Sequence, residues 1–500
     1  MKEPNMKNYE FEEISINLIP PAGDITGNYL CSFGYQGGVA KHFRLKDNNM
    51  SSLRDVLNQD TLFGEENFYH PISRAQRSDL IFLLDDGWDV PYGTPNDPEH
   101  KKFFGAIAPD PEKFSNFGNT PAERLKGISD RLKEMGYAGL GLWISPQQCE
   151  AGQVVSPDAR AYWEERAAWC HEAGVLYWKV DWGKNSSNDD YRKMITEAAR
   201  KCAPQLIVEH TVVQLPLTYL NSSDTFAEKR ASRIGVQMEF CDVYRTYDVI
   251  PPFEDVCILY RSSEALCAKT KKAPTGKGLI NAESRAVIGA ALGLTVGVMT
   301  FDTDMKACLN WHRISPPFSA HGVDCFCSEE YLEDTAFCDS EFCDWVSCRG
   351  KTVSESAPAA VSRNTPLPKI EPCGDILPFV LAAKNPLTNA YSVATLPRTI
   401  DPNRNFYPLA DVTVKEVDID SHIGIFGIFN TLTICFAASI PQNARILVQD
   451  MVSEKAIDVT EHIHAEENQL RIDGKLLRVC GKWSRGENDT SVPSLILKIK

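Results

Sequence analysis

The sequence predicts an α/β chain, a (β/α)8 barrel followed by a C-terminal antiparallel β-sandwich. Two observations carry this. Between about residues 28 and 315, eight short β-rich runs alternate with helical patterns. Most of these runs are too uniformly apolar to be half-exposed, as expected of parallel strands covered by helices. After about residue 325 the helical spacing stops, and apolar runs follow one another between turn-forming residues, the pattern of a sandwich. Eight strands with helical crossovers in about 290 residues fit a closed barrel better than an open doubly wound sheet.

In chain order, the predicted strands are NYLCSF (28–33), SDLIFLLD (78–85), AGLGLWI (138–144), VLYWKVD (175–181), QLIVE (205–209), VQMEFC (236–241), GLINA (278–282) and TVGVMTF (295–301). The helix after the second strand has a complete start signal. Thr120 supplies a capping hydroxyl, Pro121 sits in the first turn, and Glu123 stands three residues on, before an apolar face of Leu125, Ile128, Leu132 and Met135. Ser156-Pro157 opens the next helix, which ends near Gly174, and another spans Asp190 to about Cys202. The expected domains are an N-terminal extension (1–27), the barrel (28–325), a Cys-rich segment and linker (326–376) and the sandwich (377–500).

Composition narrows the function. The 500 residues carry 52 Lys plus Arg against 67 Asp plus Glu, a formal charge of −15. Such a surface repels phosphate backbones, and no basic run compensates it, so nucleic-acid binding is excluded as the main role. No run of eighteen apolar residues exists to span a membrane, and the first residues lack the apolar core of a secretory signal. With 16 cysteines scattered mostly singly through apolar stretches, the expected location is the cytoplasm. Homo-oligomerisation is left open.

The chemistry is read at the C-terminal ends of the strands, where a barrel of this kind builds its site. Strand two ends in Asp85-Asp86-Gly87-Trp88, strand four in Lys179-Val180-Asp181-Trp182 and strand five in Glu209-His210. The sixth leads into Asp242-Val243-Tyr244-Arg245-Thr246-Tyr247-Asp248, and the eighth into Asp302-Thr303-Asp304. Any one aspartate here is readily a helix cap. Acidic groups at five of eight ends call for a shared reason. Without matching His or Cys they do not resemble a zinc site, and without a glycine-rich phosphate loop they do not suit a magnesium–phosphate site. Paired-carboxylate chemistry on a neutral substrate remains, and sugar hydrolysis is its commonest form. Trp88, Trp143, Trp178, Trp182, Tyr244 and Tyr247 offer faces for sugar rings, although large aromatics also fill barrel rims.

Four segments then resemble the clan D α-galactosidases (the melibiase type). Leu84-Asp85-Asp86-Gly87-Trp88 is similar to their double-aspartate motif, and Tyr177-Trp178-Lys179-Val180-Asp181 to their Lys-x-Asp strand. Tyr244-Arg245-Thr246-Tyr247-Asp248-Val249 is similar to their Trp-Arg-…-Asp-Ile segment, and Thr303-Asp304-Met305 to their Asp-Pro-Asp-Met. The likeness covers about residues 78–315, with the order kept throughout. It implies a retaining exo-α-glycosidase, an α-galactosidase first, with Asp181 as nucleophile and Asp248 as acid/base. Asp85 and Asp86 would accept the 4- and 6-hydroxyls, Lys179, Arg245 and Glu209 would hold other hydroxyls, Trp88 would form an apolar wall, and Trp143 would join the binding set. No metal or organic cofactor is implied, and the partner is a glycoside or oligosaccharide.

The chain departs from the pattern in places. Its first strand carries Cys31-Ser32-Phe33-Gly34-Tyr35 where the family has a Trp-Asn-Ser-Trp motif, and its fifth Val208-Glu209-His210-Thr211 in place of Cys-Glu-Trp. The spacing from Arg245 to Asp248 is one residue short, which leaves Asp242 as the alternative acid/base. Other sugars (an α-N-acetylgalactosaminide or a β-L-arabinopyranoside), transglycosylation, a metal-dependent barrel enzyme and a non-catalytic sugar-binding barrel stay open. Cys325, Cys327, Cys338, Cys343 and Cys348 form a cluster in sequence that could bind zinc or pair by redox, but the spacing matches no common zinc motif; reduced thiols near the domain junction are the expectation, with metal binding left open. His312, His171 and Glu283 are read as structural, Glu283 as a helix cap.

Overall fold

The computed structural model describes residues 9–22, 25–43, 50–65, 68–89, 107–148, 159–212, 225–246, 254–268, 270–299, 303–328, 357–401, 404–486 and 488–500. Its centre is an eight-stranded parallel sheet of β1 (Tyr29–Cys31), β2 (Ile81–Leu84), β3 (Gly139–Ile144), β4 (Tyr177–Val180), β5 (Ile207–His210), β6 (Val243–Arg245), β7 (Leu279–Asn281) and β8 (Gly297–Val298). Each strand pairs in parallel with the next from β1 to β7, β8 pairs back to β1, and a bridge from Asn281 to Thr295 closes the ring. Helices follow every strand, among them Pro121–Glu134, Ala159–Ala173, Asp189–Cys202, Thr225–Met238, Glu254–Cys267, Ala286–Leu292 and Met305–Ile314. This is the predicted (β/α)8 barrel.

Local signals act where they were read. Thr120 accepts from the Glu123 backbone N–H while the Glu123 carboxylate accepts from Thr120 N–H, a reciprocal capping box with Pro121 in the first turn. Asn188 caps Asp189–Cys202 through Tyr191 N–H. The Ser156-Pro157 start lies outside the described residues.

The sixth strand differs from expectation. VQM of the 236–241 run closes the helix Thr225–Met238, and the strand is Val243–Arg245. Ile234 and Met238, four residues apart, share one helix face and enter the main core together. An apolar run at a helix end passes for a strand, while a true strand of three residues is too short to show a period of two.

Inside the barrel, Tyr29, Cys31, Ile81, Leu83, Trp143, Tyr177, Ile207 and Val243 pack together. The Tyr29 and Tyr177 rings meet edge-on at 5.1 Å. Room for them comes from glycine: a Cβ on Gly297 would run into the Tyr29 ring.

Nine and five strands form two further sheets, the expected sandwich. Most pairings are antiparallel, but Ala360–Arg363 with Phe379–Lys384, Tyr391–Leu396 with Ile423–Phe426, and Ala410–Val417 with Thr431–Phe436 run parallel. Two expectations change. The N-terminal segment contributes Glu12–Ile14 to the larger sheet through Ala456–Asp458. The segment read as a linker contains strands Ala360–Arg363 and Lys369–Pro372.

The central strands of the larger sheet are buried on both faces. Along Phe379–Lys384, Phe379 and Leu381 join the barrel's core while Val380 and Ala382 join the core between the sheets. This alternation is why the strand reads as continuously apolar. Trp311 of the last barrel helix meets Phe426 at 6.3 Å. Arg363 is buried and donates to the carbonyls of Leu292 and Gly293 at 2.5 and 3.1 Å and of Phe318 and Ser319 at 3.2 and 2.9 Å. It thereby caps the C-terminal end of helix Ala286–Leu292, where a cation is favoured. Among the described residues no helix is long and apolar enough to cross a membrane.

Gly297→Ala should lower the unfolding free energy by about 1–3 kcal/mol, the cost of overpacking a filled interior, measured by urea denaturation. An unchanged midpoint would mean that the barrel interior has slack at Tyr29.

Candidate active site

Side chains on a strand alternate between faces, so Tyr177, Lys179 and Asp181 on and just beyond β4 share the barrel interior. The same rule turns Glu209 of β5, Arg245 of β6 and Asn281 of β7 inward. Parallel strands bring their carboxyl ends to one mouth, and there the interior changes from apolar to charged.

Arg245 is the junction. Fully buried, its guanidinium meets three carboxylates: Nη2 to Asp181 Oδ1 at 2.7 Å, Nη1 to Glu283 Oε1 at 2.6 Å and Nε to Glu209 Oε1 at 3.2 Å. Trp143 Nε1 donates to the other Asp181 oxygen at 2.8 Å. Behind β4, Arg192 donates to the carbonyls of Asp181 at 2.5 Å and Val180 at 3.1 Å, which fixes the backbone that presents the carboxylate. Asp181 is therefore aimed from three directions, and each of its oxygens accepts one bond where a carboxylate can accept about two.

Beside it, Lys179 Nζ pairs with Asp85 Oδ2 at 2.7 Å, and Cys31 Sγ donates to the same oxygen at 3.0 Å. Burial alone would lower the Lys179 pKa, but the charge of Asp85, helped by Cys31 and Asp181, overrides it and holds the ammonium well above the usual lysine range. Lys179 was expected to hold sugar hydroxyls beside Asp181. The structure gives its ion pair to Asp85 and gives Asp181 its closest cation from Arg245.

Asp86 faces Arg54 in a bidentate pair at 2.7 and 2.5 Å. Burial still pushes its carboxyl up to about 6, against the pull of Arg54 and with Asp85 and Asp181 adding to the rise. Asp85 Oδ1 accepts the Asp86 backbone N–H at 2.8 Å. Counted by lone pairs, both aspartates keep capacity for a further donor.

Other predicted residues have different surroundings from those expected. Trp88 is fully buried and donates to the Trp143 carbonyl at 2.9 Å; it backs Trp143 and is not an exposed wall. Glu209 is also fully buried, accepting from Tyr177 at 2.7 Å, Asn281 at 2.8 Å and Tyr29 at 3.3 Å. Burial raises its pKa, opposed by Arg245 and these donors. It forms the floor under Arg245, with no surface for a hydroxyl.

Asp242, the alternative acid/base, is not brought to the mouth. It precedes β6, accepts from Val208 N–H at 3.0 Å and lies 3.5 Å from Arg200 at the opposite end of the barrel. The revised sixth strand is the reason: a residue read as following a strand in fact begins the next. Asp248 and Tyr247 lie outside the described residues. Asp304 accepts from Val492 N–H at 2.6 Å and so ties the barrel to the sandwich.

Two site residues were missed. Glu283, two residues beyond β7, holds a left-handed φ of 49° and reaches Arg245. The strand end carried an acidic group, but nothing local marked it as more than a cap. Arg54 lies in the long excursion between β1 and β2, where no motif marks it.

No family model matches the chain, nor does any curated protein. Solved structures to which it is similar include α-galactosidase I from Mortierella vinacea, at 12% identity and TM-score 0.39 over 96% of each chain. The α-galactosidase from Saccharomyces cerevisiae with raffinose shows 9% identity and TM-score 0.38 over 97% of this chain and 98% of that one. A GH27 β-L-arabinopyranosidase from Geobacillus stearothermophilus shows 10% and 0.36 over 96% and 97%. An α-amylase from Geobacillus thermoleovorans falls close by, at 8% and 0.34 over 95% and 99%. Scores of this size do not argue for a shared activity; the chemistry rests on the site's own residues.

Arg54→Ala should destabilise the protein by about 3–5 kcal/mol at pH 8, because it strands a buried carboxylate. Protonation removes that charge, so the deficit should shrink as pH falls through the raised Asp86 pKa. Urea unfolding at pH 8 and pH 5 checks this; an equal deficit at both would remove Asp86 ionisation as its cause.

Proposed function

We propose that the chain is a retaining exo-α-glycosidase acting on terminal α-galactosyl residues by double displacement. The observation that carries this reading is Asp181: a carboxylate at the mouth of the barrel, held by Trp143 Nε1 on one oxygen and Arg245 on the other. Two donors orient a carboxylate while leaving a lone pair to attack. The same bonds make it a better leaving group when the covalent intermediate is hydrolysed.

In the first step Asp181 attacks the anomeric carbon, the glycosidic bond breaks, and Asp248 protonates the departing oxygen. In the second, Asp248 takes a proton from water, which attacks the anomeric carbon and releases Asp181. Retention requires the two carboxyl groups about 5–5.5 Å apart. The role of Asp248 rests on the motif resemblance alone.

The field of the site supports this chemistry. Among the described residues, the ion-paired set holds the carboxylates of Asp85, Asp86, Asp181, Glu209 and Glu283 against Arg54, Lys179 and Arg245. Even with Arg192 counted, carboxylates outnumber cations. Such a site favours an oxocarbenium-like transition state, whose developing charge is positive. Asp85 and Asp86 supply the acceptors for the 4- and 6-hydroxyls, the basis for galactose over glucose.

The test is a panel of aryl α- and β-glycosides. Wild type should release aglycone from the α-galactoside, and Asp181→Ala should lose about 10³-fold or more in kcat/KM. Asp248→Ala should keep activity on activated aryl substrates and gain rate with azide, yielding the α-glycosyl azide that a retaining route gives. Turnover of another α-glycoside would keep the mechanism and overturn the sugar. Full activity in Asp181→Ala would overturn the mechanism.

A further inference from the structure

Three thiols meet where the barrel joins the larger sheet. Cys267 ends the helix that follows β6, and Cys325 and Cys327 lie on the edge strand Cys325–Cys327, paired with Ala360–Arg363. Residues two apart on a strand share a face, so both thiols turn one way while Phe326 turns the other and is 44% exposed. The three sulfurs lie within 4.8 Å of one another, with Cys267 and Cys327 Sγ 3.7 Å apart.

That separation is far beyond a disulfide bond of about 2.05 Å. It fits the edge of a tetrahedral thiolate site, where Zn–S bonds of about 2.3 Å place sulfurs about 3.8 Å apart. Apolar packing is the ordinary reason for cysteines to gather, and it accounts for the buried Cys31, Cys170, Cys241 and Cys308. Cys325 and Cys327 are half-buried against the barrel's core, but packing does not account for Cys267, which is exposed and yet meets both.

We propose that Cys267, Cys325 and Cys327 bind a soft divalent cation of the zinc type, tying the barrel's sixth helix to the edge of the larger sheet. Binding is not a redox step: the ion displaces the protons of the three thiols, which pass to solvent, and the fourth position is left to water or another donor. The site is structural and far from the chemistry of Asp181, so it stands or falls apart from the glycosidase reading.

The test uses the full-length, reduced, chelator-dialysed protein titrated with zinc chloride. One zinc per chain should bind with a Kd of about 1 μM or tighter. Cobalt in its place should give a thiolate charge-transfer band with tetrahedral visible bands. Peptide mapping after iodoacetamide should show zinc protecting Cys267, Cys325 and Cys327 but not the exposed Cys373. Cys325→Ser should abolish stoichiometric binding, and Cys373→Ser should not. The proposal is overturned if reduced wild type binds well under one equivalent, if bound zinc leaves these three thiols reactive, or if mass spectrometry finds a disulfide among them.

Discussion

The guanidinium of Arg245 is the interaction on which the site depends. Taking an arginine and three carboxylates out of water costs several kcal/mol per ion unless geometry restores what hydration provided. Here each nitrogen meets a carboxylate, and the carboxylates meet Trp143, Tyr29, Tyr177 and Asn281 in turn. A network so interlinked is rigid, because moving one member strands the others. Asp181 inherits that rigidity: its carboxylate is set by residues from two other strands and its backbone by Arg192 of the following helix, and a carboxylate already aimed needs little reorganisation when charge develops.

The Lys179–Asp85 and Arg54–Asp86 pairs apply the same principle one step away. Both aspartates follow β2, yet their counter-ions arrive from opposite sides, one from inside the barrel and one from the excursion after β1. The raised pKa of Asp86 shows that burial outweighs even a bidentate partner at that position. Among the described residues, the sandwich contributes none to this network. Its part is to bury the outer helices, so that the sheet between them is covered on both faces and the barrel's last helix is anchored by Asn310 to the Met451 carbonyl at 2.7 Å.

Much of this was legible from residues alone, and the failures have a common cause. Seven strands were placed to within a few residues because parallel strands covered on both sides are written as short apolar runs between turn signals. The sixth was displaced because VQMEFC is apolar for a different reason, as the buried end of a helix. That single displacement moved Asp242 from one end of the barrel to the other. Glu209 and Trp88 were placed at the right strand ends but given surfaces they do not have, since burial depends on neighbours from other strands.

The sequence by itself determined the architecture and the position of Asp181 at a strand end, because period, capping and turn chemistry are local properties. It also carried the four motifs in order. Only the tertiary structure decided the partners. Whether Lys179 serves Asp181 or Asp85, whether Arg245 reaches solvent or three carboxylates, and which thiol meets the pair on strand Cys325–Cys327 are set by distances between segments far apart in the chain. Ion pairs and hydrogen bonds fall off within a few ångströms, and no spacing along one segment reports the approach of another.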